Sequence, residues 1–354
     1  MGKRRKIGFL ARVLMYVAAG LLFLSYFSVL INPKYGWVLA FTGLLFIPLL
    51  LLNVLFLLWG IKRRSATLLI PLVACLPSLL FIGEYVRIGG KQETAAEPSV
   101  KVISYNVGRF EPGRRKGLDT RQACMDSVFR FLKGQDADVI CLQEFYLSDN
   151  SKNIDKLLLK YFPGYSNVHY TYLGKKSEYG NVTLSRLPLA GKGSVRFDES
   201  ANLAIYSDLS LGGKTVRVYN CHLQSYNIPL LRLVKSLGRD KELLKETGEK
   251  MKISALRRPS QVEKILNSFK DCPYEVMVCG DFNDTPLSYT YYKLSKGRKD
   301  SFEEAGRGFA ATYSVLWPLL RIDYVLYPSF MKAVSHKSPH KKYSDHYPVI
   351  VEFK

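Results

Sequence analysis

Histidine, cysteine and tryptophan are scarce in this chain of 354 residues, at five, six and three respectively. The cysteines form no C-x-x-C pair and no zinc-like spacing, so neither a disulfide framework nor a thiolate metal site is read from them. Cys141, Cys221 and Cys279 each lie in or just after an apolar run, where a thiol behaves as a small buried hydrophobe. Internal repeats and low-complexity tracts are also missing. Acidic residues are in deficit: 30 Asp and Glu stand against 51 Lys and Arg, a net charge of +21. That excess suits an anionic partner, nucleic acid or a phospholipid surface, although solubility alone would be served by the same charges. With 47% hydrophobic residues the chain is too apolar and too varied to be disordered.

Hydrophobicity is unevenly spread. Three charge-free runs occupy the first hundred residues: Val13–Ile31, Trp37–Ile61 and Ala66–Gly83. About 20 apolar residues cross a bilayer core as a helix. Residues 1–88 are therefore expected to form a membrane anchor, with helices at about 13–31, 37–61 and 66–86. The third run is shorter and holds Pro71 and Pro77, which membrane helices tolerate better than soluble ones. A secretory signal is a poor fit, because no small-residue cleavage site is evident and a second apolar run follows at once. Lys3, Arg4, Arg5, Lys6 and Arg12 precede the first run, and Lys62, Arg63 and Arg64 follow the second. By the positive-inside rule these flanks face the cytoplasm, and three crossings place the rest of the chain on the outer, periplasmic or extracellular, side. Were the third run not to cross, the rest would be cytoplasmic.

Residues 89–99 form a polar linker with no hydrophobic period. From Val100 to the end, short β-branched runs alternate with charged amphipathic stretches, the pattern of an α/β domain. Within it, apolar strands repeatedly end in a side chain able to bind metal or phosphate. Asn106 ends Val102–Tyr105, Glu144 ends Val139–Gln143, and His222 ends Val216–Cys221. Asp281 and Asn283 follow Val276–Gly280; Asp323 opens Tyr324–Leu326, and Asp345-His346 precede Tyr347–Val349. Strand ends on one edge of a sheet can meet at one crevice. The oxygen donors among them suit a hard cation, Mg²⁺ first and Mn²⁺ second, rather than zinc. Such an ion neutralises phosphate charge and lowers the pKa of a water. Taken singly, Asn106 is as well read as a turn cap and His222 as a structural histidine. Their number and common placement favour a site.

The motifs SYNV (104–107), LQE (142–144), YGNVTLSRLP (179–188), NCHLQS (220–225), GDFND (280–284), RIDYV (321–325) and SDHYPV (344–349) resemble, in order, those of the endonuclease/exonuclease/phosphatase superfamily. The resemblance covers essentially all of residues 100–354 and leaves the anchor outside. It implies a four-layer α/β sandwich, two mixed β-sheets flanked by helices, and metal-dependent hydrolysis of a phosphoester. Glu144 is implied as first metal ligand, with Asn106 and Asp345 in or beside the metal shell. His346, paired with Asp323, is implied as general base or phosphate contact. His222 would donate to the phosphate or act as general acid. Asp281 and Asn283 would orient or deprotonate the attacking water. Asn106, Asn283 and His222 are then also substrate contacts. Gly108 departs from members that place an acid there, which puts a second metal at that point in doubt. His169, His336 and His340 match no motif and are expected at the surface.

Substrate is less defined. Arg109, Arg114, Arg115 and Lys116, with Lys337, Lys341 and Lys342, favour a nuclease-like phosphodiesterase. A basic amphipathic stretch from Ile228 to Arg239 and the apolar Trp317–Leu320 loop would suit a phospholipid (sphingomyelinase-like) or inositol-phosphate substrate, or else ordinary packing. A catalytically inactive binding module is the remaining alternative, and it does not need all six polar strand ends.

Overall fold

The structure is a computed structural model that describes residues 7–89, 100–113, 117–147, 154–171, 178–198, 200, 202–211, 213–226, 228, 235–236 and 239–354. Most of the linker, Arg114–Lys116 and most of the basic stretch at 228–239 lie outside the described residues. Contacts divide the chain into two units: Met1–Tyr85 with Tyr226–Pro259 and Asp284–Lys293, and Val86–Ser225 with Ser260–Asn283 and Leu294–Lys354.

The first unit opens with helices α1 (Phe9–Phe27), α2 (Pro33–Leu44), α3 (Phe46–Arg63) and α4 (Leu69–Cys75). The expected single helix over 37–61 is two. Leu45 between them is not helical (φ −89°, ψ 9°). Pro48 has no N–H to give the carbonyl four residues back, so it is accommodated in the first turn of a new helix rather than inside a continuous one. Pro71 and Pro77 likewise divide the third apolar run into α4 and short 3-10 turns at Ala66–Leu68, Leu76–Leu80 and Ile82–Glu84. Two of the described helices, α1 and α3, are long and apolar enough to cross a membrane, and only 33% and 22% of their apolar windows are buried. Tyr26 near the end of α1 donates to Ala74 O (2.8 Å) and stacks on Phe81. Leu68 packs on Gly60 near the end of α3, and Tyr85 packs on Phe46 at its start. Residues 68–85 therefore run back along the whole length of α3.

The second unit carries fourteen strands: β1 (Val86–Arg87), β2 (Val100–Asn106), β3 (Val139–Leu147), β4 (Ser166–Thr171), β5 (Glu178–Ser185), β6 (Leu189–Arg196), β7 (Leu203–Leu211), β8 (Lys214–His222), β9 (Glu275–Asp281), β10 (Lys299–Asp300), β11 (Gly308–Phe309), β12 (Asp323–Tyr327), β13 (Ala333–Lys337) and β14 (Val349–Phe353). Two six-stranded mixed sheets form, ordered β13-β14-β2-β3-β5-β4 and β10-β12-β9-β8-β7-β6, beside a small β1-β11 pair. Each large sheet holds one parallel pair, β2–β3 in the first and β8–β9 in the second. Alternate residues point to opposite faces of a strand. Val102, Val139, Cys141, Val349 and Val351 of the first sheet thus meet Val216, Val218, Met277, Cys279 and Val325 of the second in one core. On the outer face of the first sheet Ile103, Tyr105, Ile140 and Leu142 pack on Val128, Phe129 and Leu132 of the helix Arg121–Lys133. Tyr219 of the second sheet packs edge-on against Phe269 of the helix Lys241–Lys270. Helix, sheet, sheet and helix make the four layers expected.

Of the three histidines expected at the surface, His336 departs from the expectation. His336 is buried in β13, with Nδ1 3.0 Å from Ser301 Oγ and its ring edge-on to Phe302. An edge strand has a covered face, and residue 336 falls on it. His340 is exposed and stacks on Tyr347, whereas the His169 side chain lies outside the described residues.

Gly280 sets the register that the site needs. Its φ is +135°, and a Cβ there would stand 2.0 Å from Cys221 O and 2.7 Å from Cys221 N. That approach lets β8 and β9 pair so that His222 faces Asp281. Gly280→Ala should cost at least about 3 kcal/mol, because the clash is with backbone on both counts. Chemical unfolding of the full chain in detergent measures it, and wild-type stability would show that the strands can part without cost.

Candidate active site

The strands place the polar residues by simple alternation. Asn106 shares the inward face of β2 with Val102; His222 shares that of β8 with Val216 and Val218; Asp281 shares that of β9 with Met277 and Cys279. Glu144 does not follow the rule. Alternation would put it on the outer face with Ile140 and Leu142. A bulge between Leu142 and Phe145, with Glu144 itself at φ +50°, turns its carboxylate inward instead. Bulges re-aim side chains in this way beside active sites. Gln143 and Glu144 consequently both face the second sheet.

Behind the site a buried carboxamide network joins the sheets. Asn220 Nδ2 on β8 donates to Leu142 O (3.1 Å) and Val182 O (3.0 Å), and its Oδ1 accepts from Gln143 Nε2 at 2.8 Å. Asn181 Nδ2 donates in return to Asn220 O at 2.9 Å. These amides were not singled out as functional from sequence. Yet Gln143 precedes Glu144 and Asn220 lies two before His222, so their inward direction follows from the same period.

At the front, Asp281 Oδ2 is the hub. It accepts from Asn106 Nδ2 (2.9 Å) and Asn283 Nδ2 (3.1 Å), and it lies 3.7 Å from His346 Nε2 and 3.9 Å from His222 Nε2. Asp281 Oδ1 accepts from the Asn283 N–H at 2.8 Å, and Asn283 Nδ2 also donates to Leu223 O at 2.9 Å. Asn283 holds a left-handed backbone, φ +52°. His346 Nδ1 bonds Asp323 Oδ2 at 2.9 Å. Glu144 Oε2 is met by Arg109 Nε at 3.1 Å, and Oε1 by Asn106 Nδ2 at 3.4 Å and His222 Nε2 at 3.5 Å. Asp345 stands on the Gly108 side, its Oδ1 accepting from Ser344 Oγ at 3.2 Å. A Cβ at Gly108 would come within 2.9 Å of Ser344 Oγ and 3.1 Å of Asp345 Oδ1, at φ +54°. A side chain at 108 would need a left-handed backbone and would crowd Ser344 and Asp345, and an acid there would also stand against the Asp345 carboxylate. All eight residues expected in the site thus gather on one side of the paired sheets.

Their electrostatics are uneven. Asp281 and Asp323 are direct cross-strand partners, and like charges so placed repel. Burial pushes the Asp281 carboxyl up to about 7, Asp323 adds to the rise, and His346, Asn106 and the Asn283 N–H oppose it. Burial pulls His346 down, but Asp323 and Asp281 outweigh it and hold the imidazole well above its ordinary value. Burial leaves His222 lowered, despite Glu144. It is therefore a neutral imidazole rather than an ion-pair member, and among the described residues neither ring nitrogen has a hydrogen-bond partner. An unsatisfied buried donor is a rare and costly thing. A phosphate oxygen would satisfy it.

Two groups of residues could hold a cation. Asp281, Asp323 and His346 offer ligand atoms within 4.8 Å of one another. His346 is already bonded to Asp323 through Nδ1, so this group reads better as a proton-holding triad. The second is centred on Glu144, whose oxygens draw the Arg109 guanidinium and the Asn106 amide, so that positive charge is wanted there; Asn106 Oδ1 itself accepts from the Gly108 N–H at 3.0 Å. The donor chemistry fits a hard divalent ion.

Residues 103–346 match the model of the Endonuclease/Exonuclease/phosphatase family, which is 69% of the chain, and residues 7–85 match a domain of unknown function (DUF8431). The chain belongs to the endonuclease/exonuclease/phosphatase family. Members are metal-dependent phosphoester hydrolases, and this chain is an enzyme of that class. No curated protein matches it. Among solved structures it is similar to an endonuclease/exonuclease/phosphatase from Beutenbergia cavernae (17% identity, TM-score 0.54, covering 73% of this chain and 72% of that one). It is also similar to the human Nocturnin catalytic domain with bound sulfate (17%, 0.50, 73% and 93%) and to a humanized D. rerio TDP2 (17%, 0.51, 72% and 99%). These likenesses show the fold.

The raised Asp281 pKa has a stability consequence. A carboxyl whose folded pKa is about 7, against 3.8 unfolded, binds more protons folded than unfolded between those values. Its contribution is whole below the unfolded pKa and is lost as pH rises through about 7. In EDTA, Asp281→Asn should therefore gain on wild type by up to about 1.4 kcal/mol per pH unit across that window. Unfolding midpoints from pH 4 to pH 8 check this. A constant difference between the two proteins would contradict it.

Proposed function

We propose that this chain is a membrane-anchored, Mg²⁺-dependent phosphodiester hydrolase of nuclease-like chemistry. The observation that carries the reading is the convergence of Asn106, Asn283, His222 and His346 on one oxygen of Asp281. Glu144, Asn106 and Asp345 would hold the Mg²⁺, with Mn²⁺ as substitute. When bound, the ion supplies charge neutralisation on the phosphate and a lowered water pKa. His346, kept protonated by Asp323, contacts a phosphate oxygen as a cationic donor. Asp281, titrating near 7 and steadied by Asn283, orients the attacking water and takes its proton. His222 donates toward the leaving oxygen. The high His346 pKa favours the phosphate-contact role over that of general base.

The anchor reading is supported by α1 and α3, long and apolar enough to cross, and takes residues 68–85, which run back along α3, as a third traverse. Large apolar side chains such as Leu10 (72% exposed), Leu55 (63%) and Leu80 (81%) point outward from them, as lipid contact requires. Three crossings with basic flanks inside put the catalytic domain on the outer face. A topology reporter fused after residue 90 should give the outer signal. A cytoplasmic signal would overturn the orientation.

A second substrate reading, a phospholipid phosphodiester, is favoured by one observation: Asp284–Lys293, directly after Asn283, belongs to the same unit as the apolar helices. Plasmid DNA set against sphingomyelin vesicles separates the two. On bis(p-nitrophenyl) phosphate, EDTA should abolish turnover and added Mg²⁺ restore it. Glu144→Ala and His346→Ala should each lower kcat by about a thousand-fold with the fold retained by circular dichroism. Full activity in either variant would refute the site.

A further inference from the structure

The segment that leaves the active site is held by the N-terminal helices. Asn283 has a strained backbone, and such conformations persist only where the surroundings fix them. On its upstream side the Asp281 carboxylate does so. On its downstream side the chain enters the first unit at Asp284 and is buried through Ser288. The Asp284 carboxylate accepts from the Thr285 N–H (3.2 Å) and Thr290 Oγ1 (2.9 Å) and forms an ion pair with Arg258, whose Nε lies 3.2 Å away. Three residues on, both halves of the Leu287 backbone are taken by side chains from the N-terminal segment. The Leu287 N–H donates to Tyr85 OH at 3.1 Å, and the Ser28 hydroxyl shares its one proton between the Leu287 carbonyl at 2.7 Å and Ser25 O at 2.6 Å. Gly43 on α2 lies so close that a Cβ there would stand 2.2 Å from Leu287 O and 2.4 Å from Ser28 Oγ. A simple tether needs no such fit.

We propose that residues 7–85 are a positioning element of the active site, acting through Ser28, Gly43 and Tyr85 on the Leu287 peptide to fix Asn283 and, through it, Asp281. The proposal rests on the hydrolase reading above and gives the N-terminal segment a role in turnover. It assigns no chemistry to Ser28, Gly43 or Tyr85, none of which is placed at the reacting atoms. Asn283 was expected to touch substrate, but its Nδ2 donates to Asp281 Oδ2 and to Leu223 O, so its misplacement disturbs Asp281 and the water first, and the loss should fall mainly on kcat.

The test uses the full chain in detergent with bis(p-nitrophenyl) phosphate and Mg²⁺. Gly43→Ala adds bulk against Leu287 O. The double variant Ser28→Ala, Tyr85→Phe adds none and removes both bonds. Each should lower kcat at least about ten-fold per folded molecule with KM within about two-fold. Hydrogen exchange, read independently of activity, should speed up at the Leu287 amide in the double variant. Should Gly43→Ala fail to fold, the double variant decides. Faster exchange at Leu287 with unchanged kcat would overturn the proposal while leaving the hydrolase reading intact. An inactive wild-type enzyme would overturn both.

Discussion

One asparagine side chain holds the two sheets in register at the point where the chemistry lies. Asn220 donates to two carbonyls of the first sheet and accepts from Gln143, using the capacity of its carboxamide inside a core where no water competes. Glu144 follows Gln143 directly, and His222 lies two residues beyond Asn220. Any slip between the sheets would separate the residues that must face one phosphate. Asn220 carries the join: its amide hydrogens and its oxygen all reach the first sheet, whereas Gln143 Oε1 and Asn181 Oδ1 have no partner among the described residues. The apolar residues of the same interface supply the cohesion, but they would tolerate sliding. The amides do not.

The site in front is built on opposition. Two carboxylates are set directly across a strand pair, an arrangement sheets normally avoid. The conflict is eased by His346, whose imidazole is bonded to one carboxylate and lies near the other. The result is a set of groups with separated proton affinities: a carboxyl raised by burial, an imidazole raised by its acid neighbours, and a second imidazole kept neutral. Pairs whose environments push their proton affinities apart are what acid–base chemistry at neutral pH requires. Glu144 faces solvent more than the others and is paired with Arg109.

Much of this was legible in the sequence because period-two alternation is a local property. An apolar run ending in Asn106, His222 or Asp281 shows which residues share a face, and the order of motifs carries the fold. What was not legible came from elsewhere in space. The bulge that turns Glu144 depends on how β3 pairs with β5. The split of the second apolar run at Leu45 follows from Pro48, which an unbroken charge-free run conceals. His336 looked like a stray surface histidine because its neighbours Ser301 and Phe302 are distant in the chain. The fit of Leu287 to Ser28 joins residues 259 apart and leaves no mark in composition or period.

The central claim is that Glu144 is the seat of the divalent ion that serves this cluster. Anomalous diffraction from crystals of the full chain grown with Mn²⁺ tests it most directly. The account predicts a peak within about 2.5 Å of a Glu144 carboxylate oxygen, with Arg109 withdrawn from it. A saturating Mn²⁺ concentration that leaves the Arg109–Glu144 pair in place, with density elsewhere or nowhere, would contradict it.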